Sequence, residues 1–195
     1  GGRLLLGVAS GDRPEEYPAL NLPFEDRGTR FRESFEYIKH MSENSPTFEN
    51  IHGNPDSAMD MLPKPAAGKI PMLITGGSQQ APDWIAANGE GWITYPRSVT
   101  AQSRILTDWR ERIKSAGGAA KPAVQSLYID LLYDPDAIPQ PIHLGFRLGM
   151  NHLRDYLKSL ENIGINHVAL NLRFNQADIE ETLKRLSDEL LPNFS

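Results

Sequence analysis

The chain has 195 residues, of which 39% are hydrophobic and 23% charged, an ordinary composition for a globular domain. Its net charge of −5 and its scattered basic residues argue against nucleic-acid binding as the main activity. The absence of cysteine excludes disulfides and thiolate metal sites, and no apolar run approaches the roughly 20 residues that span a bilayer. We therefore expect a soluble, cytoplasmic protein with neither a nucleic-acid nor a membrane partner.

The chain opens on a short apolar segment that ends in small and polar residues. Such a segment predicts a strand buried on both faces, closed by a tight turn at Ser10, Gly11 and Asp12. In parallel α/β folds the carboxyl ends of the strands are where ligands bind. We therefore expect this turn to face a ligand.

The rest of the chain alternates short apolar segments with amphipathic ones, which predicts parallel β/α units in a single α/β domain. The further strands are predicted at residues 71–75, 91–95, 124–132 and 166–172. The helices are predicted at residues 25–41, 79–87, 99–115, 149–163 and 176–190. Residues 45–67 interrupt this rhythm with proline and asparagine, and we expect an irregular insertion there, in which residues 47–52 and 59–62 could pair as a hairpin.

Strand and helix alternation is compatible with either a doubly wound sheet or a (β/α) barrel. No strand is followed by the G-x-G-x-x-G fingerprint of a dinucleotide-binding sheet, which favours the barrel. Only about five β/α units are present, whereas a closed barrel has eight. The residue pattern alone leaves both architectures open.

Two blocks of the sequence resemble the bacterial luciferase-like family of flavin monooxygenases. The first block joins a Gly-Gly-Arg start and an apolar strand, residues 1–11, to a segment rich in Phe, Arg and Glu, residues 24–33. The second joins Thr-Gly-Gly-Ser at residues 75–78 to residues 89–94, where Glu90 stands in place of the family's usual Asp. The resemblance runs over most of the chain.

This resemblance implies a (β/α)8 TIM barrel, of which the chain would hold about the last five β/α units as the C-terminal part. It also implies that the full-length protein is a flavin-dependent oxidoreductase, a luciferase-like monooxygenase that uses reduced FMN, with F420 as the alternative, at the C-terminal mouth of the barrel. The cofactor would carry the chemistry on a small-molecule substrate, and a flavin reductase could supply the reduced flavin.

The resemblance assigns cofactor contacts to three groups of residues. Arg27 would bind the cofactor phosphate, because a planar guanidinium suits bidentate phosphate contact. Gly76, Gly77 and Ser78, between a strand and a helix, would form an anion-binding turn. Ser10, Gly11 and Asp12 would flank the ribityl chain and the phosphate. The residues themselves also allow a plainer interpretation, in which Arg27 pairs with Glu25 or Asp26 at the surface.

A second set of residues follows later strands and is assigned to the substrate or to a lid, namely Tyr95, Arg97, Phe146 and Arg147. Arg147 could bind an acidic substrate or the flavin. His143, on the long loop after the fourth strand, could transfer a proton near neutral pH, although a lone loop histidine is more often incidental. The histidines lack metal-ligand spacing, so no metal site is expected.

A different class of function is also compatible with the sequence. A partial barrel would expose strand edges and apolar surface, and such edges invite pairing with another chain. The chain would then be a catalytically inactive homo-oligomer that retains only an anion-binding or phosphate-binding loop.

Overall fold

The computed structural model describes residues 2–44, 46 and 60–194 of the chain. Internal contacts divide the chain into two compact units. Unit 1 comprises residues 1–92 with 116–118, and unit 2 comprises residues 93–115 with 119–195. The first arm of the hairpin predicted in the insertion, residues 47–52, lies outside the described residues, as does Met59 of the second arm.

The described chain follows the predicted alternation of strands and helices. The strands are β1 (Leu6–Val8), β2 (Met72–Thr75), β3 (Gly91–Thr94), β4 (Ala123–Leu131), β5 (Gln140–Ile142), β6 (Gly145–Leu148) and β7 (His167–Asn171). The α-helices are α1 (Arg27–Met41), α2 (Pro82–Asn88), α3 (Val99–Ser115), α4 (Met150–Ile163) and α5 (Ile179–Arg185). Helix α5 runs on into a π-helical turn, Leu186–Leu190.

Unit 1 is built on the parallel pair β1 and β2, in which Leu6 lies opposite Met72 and Val8 opposite Ile74. Helix α1 places Phe31 and Phe35 on one face because they are four residues apart. That face packs on β2 and α2 in a core that consists of Phe31, Phe35, Met72, Ile74 and Ile85. Because β1 and β2 are parallel, the turns that follow them lie at the same edge of the sheet.

The expectation that the first strand is buried on both faces is wrong. Leu4 is 58% exposed and Leu5 is 63% exposed, and Leu6 and Val8 are only partly buried. Among the described residues β1 pairs only with β2, so its other edge is open. The apolar segment marked a strand correctly, but apolar character alone does not supply the neighbours that bury it.

Unit 2 is built on β4, which pairs in parallel with β7 through its first half and with β6 through its last residues. Leu127, Ile129 and Leu131 of β4 are almost completely buried. Helices α3 and α4 pack against each other. The guanidinium of Arg110 on α3 donates to the carbonyl oxygens of Ile163 at 3.1 Å and Gly164 at 2.8 Å, and so caps the last turn of α4.

Part of the long loop expected after the fourth strand is a β-hairpin. Strands β5 and β6 pair antiparallel, with Gln140 opposite Arg147. The connection is a two-residue turn, His143 and Leu144, and Leu144 takes a left-handed φ of 49°. Because β6 also pairs in register with the end of β4, this segment is fixed to the sheet.

Among the described residues, no helix combines the length and apolar character that a bilayer crossing requires.

Candidate functional site

The turn after β2 has an unusual backbone. Gly76 has a φ of 57°, and the non-glycine residues Ser78 and Gln79 have φ values of 42° and 58°. Left-handed backbone at a non-glycine residue costs of order 1–3 kcal/mol and persists only where its surroundings hold it. Turns that mix left-handed with right-handed residues point successive N–H groups into one concavity, which suits an anion.

Gly77 at the tip of this turn faces open space. A Cβ added there would meet no atom within 4 Å. Ser78 is buried, and its hydroxyl donates to the Thr75 carbonyl oxygen at 2.8 Å. The Ser78 side chain therefore stabilises the turn, and the exposed surface of the turn is main chain at Gly77.

Gln80 joins this turn to the start of α1, a role that the sequence did not indicate. Its Nε2 donates to the Gly28 carbonyl oxygen at 2.7 Å and to the Ser78 carbonyl oxygen at 3.1 Å. Its Oε1 accepts hydrogen bonds from Arg32 at 2.9 and 3.1 Å. A buried amide with all of these partners holds two distant segments at fixed separation.

The turn after β1 is connected through Tyr17 to the segment that leads into α1. The Tyr17 hydroxyl donates to the Ser10 carbonyl oxygen, and Gly11 next to it has a left-handed φ of 80°. The Tyr17 ring meets the Phe24 ring edge-on at 5.0 Å. Asp12 is exposed, and its neighbour Arg13 pairs with Glu16 at 3.1 Å.

Arg27 begins α1 and lies over the Phe24 ring, with its guanidinium carbon 3.7 Å from the ring centroid. Its Nη1 donates to the Phe24 carbonyl oxygen at 3.1 Å. Its Nε is buried and has no hydrogen-bond partner among the described residues. The plainer interpretation, an ion pair with Glu25 or Asp26, is not formed within the described part of the chain.

Unit 1 therefore brings the three predicted groups of cofactor residues to one edge of its sheet. Tyr17 and Phe24 connect the turn after β1 to Arg27. A Cβ on Gly28, the residue after Arg27, would lie 2.9 Å from the Gln79 side chain, so the helix start also touches the turn after β2. A glycine at this position permits that close approach.

The four residues predicted to contact the substrate or to form a lid all lie in unit 2, and each has its own set of contacts. The Nη1 atom of Arg97 donates to the Thr94 hydroxyl at 3.0 Å and to the Tyr95 carbonyl oxygen at 2.9 Å, at the end of its own strand. Tyr95 is exposed.

The Phe146 ring packs against Tyr156 of α4 at 5.3 Å, and burial raises the pKa of the Tyr156 phenol. Since alternate residues of a strand face opposite sides, Arg147 lies on the other face of β6.

Arg147 and His143 line a cavity of about 260 Å³ at the end of β4. Its other lining residues are Asp130, Gln140, Pro141, Ile142, Phe174 and Gln176. Arg147 Nε donates to Asp130 Oδ2 at 2.6 Å, and the Gln176 backbone N–H donates to Asp130 Oδ1 at 2.9 Å. The buried Asp130 was missed in the sequence, where an acidic residue among the apolar residues of a strand was the available signal.

The described residues contain no group of three or more His, Cys, Asp or Glu side chains placed to hold a metal ion. The cavity at the end of β4 holds a single carboxylate, Asp130, which is already engaged by two donors.

The family model described as luciferase-like monooxygenase matches residues 1–137 of the chain. An uncharacterised protein of Mycobacterium tuberculosis is 30% identical over 151 residues, which cover 74% of this chain and 50% of that protein. An FMNH2-dependent dimethylsulfone monooxygenase of Pseudomonas putida is 29% identical over 134 residues, which cover 66% of this chain and 37% of that enzyme. The chain thus spans about half the length, or less, of these relatives.

Two solved structures show the same fold. A monooxygenase from Streptomyces bottropensis aligns with a TM-score of 0.79 and 16% identity, over 100% of this chain and 70% of its own. The coenzyme F420-dependent tetrahydromethanopterin reductase from Methanopyrus kandleri aligns with a TM-score of 0.76 and 14% identity, over 100% of this chain and 75% of its own. The predicted fold class, a mixed α/β part of a TIM-type barrel, is confirmed.

Proposed function

Because this chain belongs to the luciferase-like monooxygenase family, we propose that its unit 1 holds the phosphate of reduced FMN, or of F420, in a flavin-dependent oxidoreductase. The relatives named above include one protein described as dependent on FMNH2 and one described as dependent on F420. Both cofactors carry a phosphate, so a phosphate site serves either of them. The choice between the two depends on the ring system, which other residues contact.

The observation that carries this proposal is the buried Nε of Arg27, which has no hydrogen-bond partner among the described residues, beside a strained turn. A buried guanidinium N–H without a partner costs free energy, and a bound phosphate oxygen would satisfy it. The left-handed turn at residues 76–79 lies at the same edge, and its Gly77 tip is open. Both features suit an anion that approaches the main chain closely.

The electrostatics of α1 support the same proposal. A helix N-terminus carries a partial positive charge, so acidic residues are favoured in the first turn. Helix α1 has no acidic residue in that turn and begins instead with Arg27 and Arg30. Its N-cap residue, Asp26, makes no side-chain capping hydrogen bond. Two arginines in the first turn are unfavourable for the helix dipole but favourable for binding an anion there.

We assign the roles accordingly. Arg27 donates to the phosphate, the main chain of residues 76–78 approaches it, and Asp12 accepts hydrogen bonds from hydroxyl groups of the ribityl chain beside Ser10 and Gly11. Bound reduced flavin would supply electrons to O2, which then oxidises a small organic substrate, whereas bound reduced F420 would donate a hydride to a substrate that is reduced. The protein's part is to fix the cofactor by its phosphate and so orient the ring.

Gly77→Val tests the open tip of the turn. We expect the free energy of unfolding to change by no more than about 0.5 kcal/mol, because Gly77 is exposed and a Cβ there meets no atom within 4 Å. We expect the affinity for FMN to fall by about tenfold or more, because the valine occupies the space through which the phosphate approaches the main chain, and one lost hydrogen bond to a charged group is worth about 1.5–3 kcal/mol. Fluorescence titration of FMN measures the affinity, and urea unfolding measures the stability.

Ala67→Val is the control, since Ala67 is also exposed but lies in the segment before β2. FMN affinity should be unchanged in this variant. If Gly77→Val bound FMN as tightly as the unaltered chain, the turn after β2 would not be the phosphate site.

Homo-oligomer formation, a flavin reductase partner and a cytoplasmic location stay predictions.

A further inference from the structure

The cavity at the end of β4 is separate from the proposed phosphate residues, none of which lines it. It lies wholly within unit 2, between the ends of β4 and β7 and the hairpin of β5 and β6. Its polar side holds an arginine and a buried aspartate, and its apolar side holds an aromatic ring. This combination suits a small molecule that carries an anionic group and an apolar ring.

Asp130 sets the orientation of Arg147. The Asp130 side chain is 5% exposed, and its two oxygens accept from Arg147 Nε and from the Gln176 backbone N–H. Both ends of the carboxylate are therefore engaged, and its charge is compensated. The guanidinium is fixed through its Nε edge, which leaves the edge formed by Nη1 and Nη2 for another partner.

The Nη1 and Nη2 atoms of Arg147 make no hydrogen bond within the described part of the chain, and the Arg147 side chain is 41% exposed. A planar guanidinium held in this way matches the two oxygens of a carboxylate in a bidentate contact. A neutral amide or alcohol cannot form two such charge-assisted bonds. The free edge of Arg147 therefore selects for an anionic group.

The rest of the cavity suits a flat apolar body. The Phe174 ring lies 5.0 Å from the Tyr128 ring, and His143 lies 6.3 Å from Phe174 on the hairpin turn. Pro141 and Ile142 add further apolar surface. A volume of about 260 Å³ admits a single small ring with its acid group, since cavities for drug-sized ligands run from about 300 to 1,000 Å³.

We propose that this cavity binds a small carboxylic acid with a planar apolar body, its carboxylate held by Arg147 and its body against Phe174. The site for such an acid rests on unit 2 alone. Its assignment as the substrate site rests on the proposed function, and His143 at the rim is then the proposed group for proton transfer.

The test is a titration of the full chain with benzoate and with benzamide, which have nearly the same shape but differ in charge. Amide and side-chain NMR signals of Gln176 and Arg147 report on binding in this cavity. We expect benzoate to shift both signals and to bind at least tenfold more tightly than benzamide. Equal binding of the two probes, or no binding of benzoate, would overturn the proposal.

Arg147→Met removes the guanidinium and should lower benzoate affinity at least tenfold. Because this change leaves Asp130 buried without its cation, the double variant Asp130→Asn, Arg147→Met is made in parallel. Loss of benzoate binding in the folded double variant supports the proposal, and retained binding overturns it. Arg104→Met, an exposed arginine on α3, is the control and should bind benzoate normally.

The same variants separate this proposal from the proposed function. FMN affinity should be unchanged in the Asp130 and Arg147 variants, because none of the proposed phosphate residues lies in unit 2. If benzoate binds as expected but neither FMN nor F420 binds, the acid site stands and the flavin proposal fails. If the cofactor binds but benzoate does not, the acid site fails and the flavin proposal stands.

Discussion

Replacement of Arg27 by methionine should lower the affinity of the chain for FMN by about 10- to 100-fold, since a hydrogen bond to a charged group is worth about 1.5–3 kcal/mol. Methionine keeps an apolar side chain over the Phe24 ring, on which the guanidinium now stacks at 3.7 Å. The fold should therefore persist. The variant loses the one hydrogen bond to the Phe24 carbonyl oxygen, which costs about 1 kcal/mol of stability.

The control is Lys39→Met, which removes one positive charge from the last turn of the same helix, about 18 Å along the helix axis from Arg27. This variant should bind FMN as the unaltered chain does, because a charge at that distance is largely screened at physiological salt. Arg27→Lys should give an intermediate affinity, because lysine keeps the charge but loses the planar fork. Equal affinities in Arg27→Met and Lys39→Met would show that Arg27 does not contact the phosphate.

Gly145→Ala should destabilise the chain by about 3 kcal/mol or more, at the upper end of what overpacking in a protein interior costs. Gly145 is buried opposite Tyr128 in the pairing of β6 with β4. A Cβ there would overlap the Tyr128 carbonyl oxygen and lie 2.6 Å from its carbonyl carbon. Both atoms are backbone, so no side-chain rotation relieves the overlap. Urea unfolding measures the loss.

The same substitution should also abolish benzoate binding in the cavity of unit 2. Moving β6 away from β4 separates Arg147 from Asp130, because these residues face each other across the two strands. Gly77→Ala is the matched control for stability, since a Cβ at that position meets no atom. A Gly145→Ala chain as stable as the Gly77→Ala chain would show that β6 does not pair with β4 as described.

Elements with strong local signals could be predicted closely from the sequence. Helix α3 has the predicted bounds, residues 99–115, because an amphipathic pattern of that length ends at a glycine pair. Strand β4 was predicted within one residue at each end, since apolar residues recur along its whole length and turn residues bound it. In both cases the information lies within the segment itself.

The hairpin of β5 and β6 could not be predicted in this way. Its pairing with β4 depends on residues 17 positions apart, such as Asp130 and Arg147, and on the left-handed turn at Leu144. Leucine is not a residue that signals such a turn. The burial of β1 was overestimated for a related reason, because burial depends on which strands lie beside it.

At the candidate phosphate site the sequence and the resemblance indicated which residues to consider, and the structure shows what holds them in place. Tyr17 and Gln80 carry no motif, yet they fasten the two turns to the start of α1. Each donates a hydrogen bond to a backbone carbonyl oxygen, which any residue supplies, so no pattern of side chains reveals that contact. Positions that act through backbone contacts are the ones that sequence analysis misses here.

The most direct test of the central claim compares FMN with riboflavin, which is the same molecule without the phosphate. If unit 1 holds the cofactor by its phosphate, the full chain should bind FMN at least tenfold more tightly than riboflavin, and the difference should disappear in Arg27→Met. Fluorescence quenching measures both affinities on the same preparation. Equal affinities for FMN and riboflavin in the unaltered chain would contradict the account.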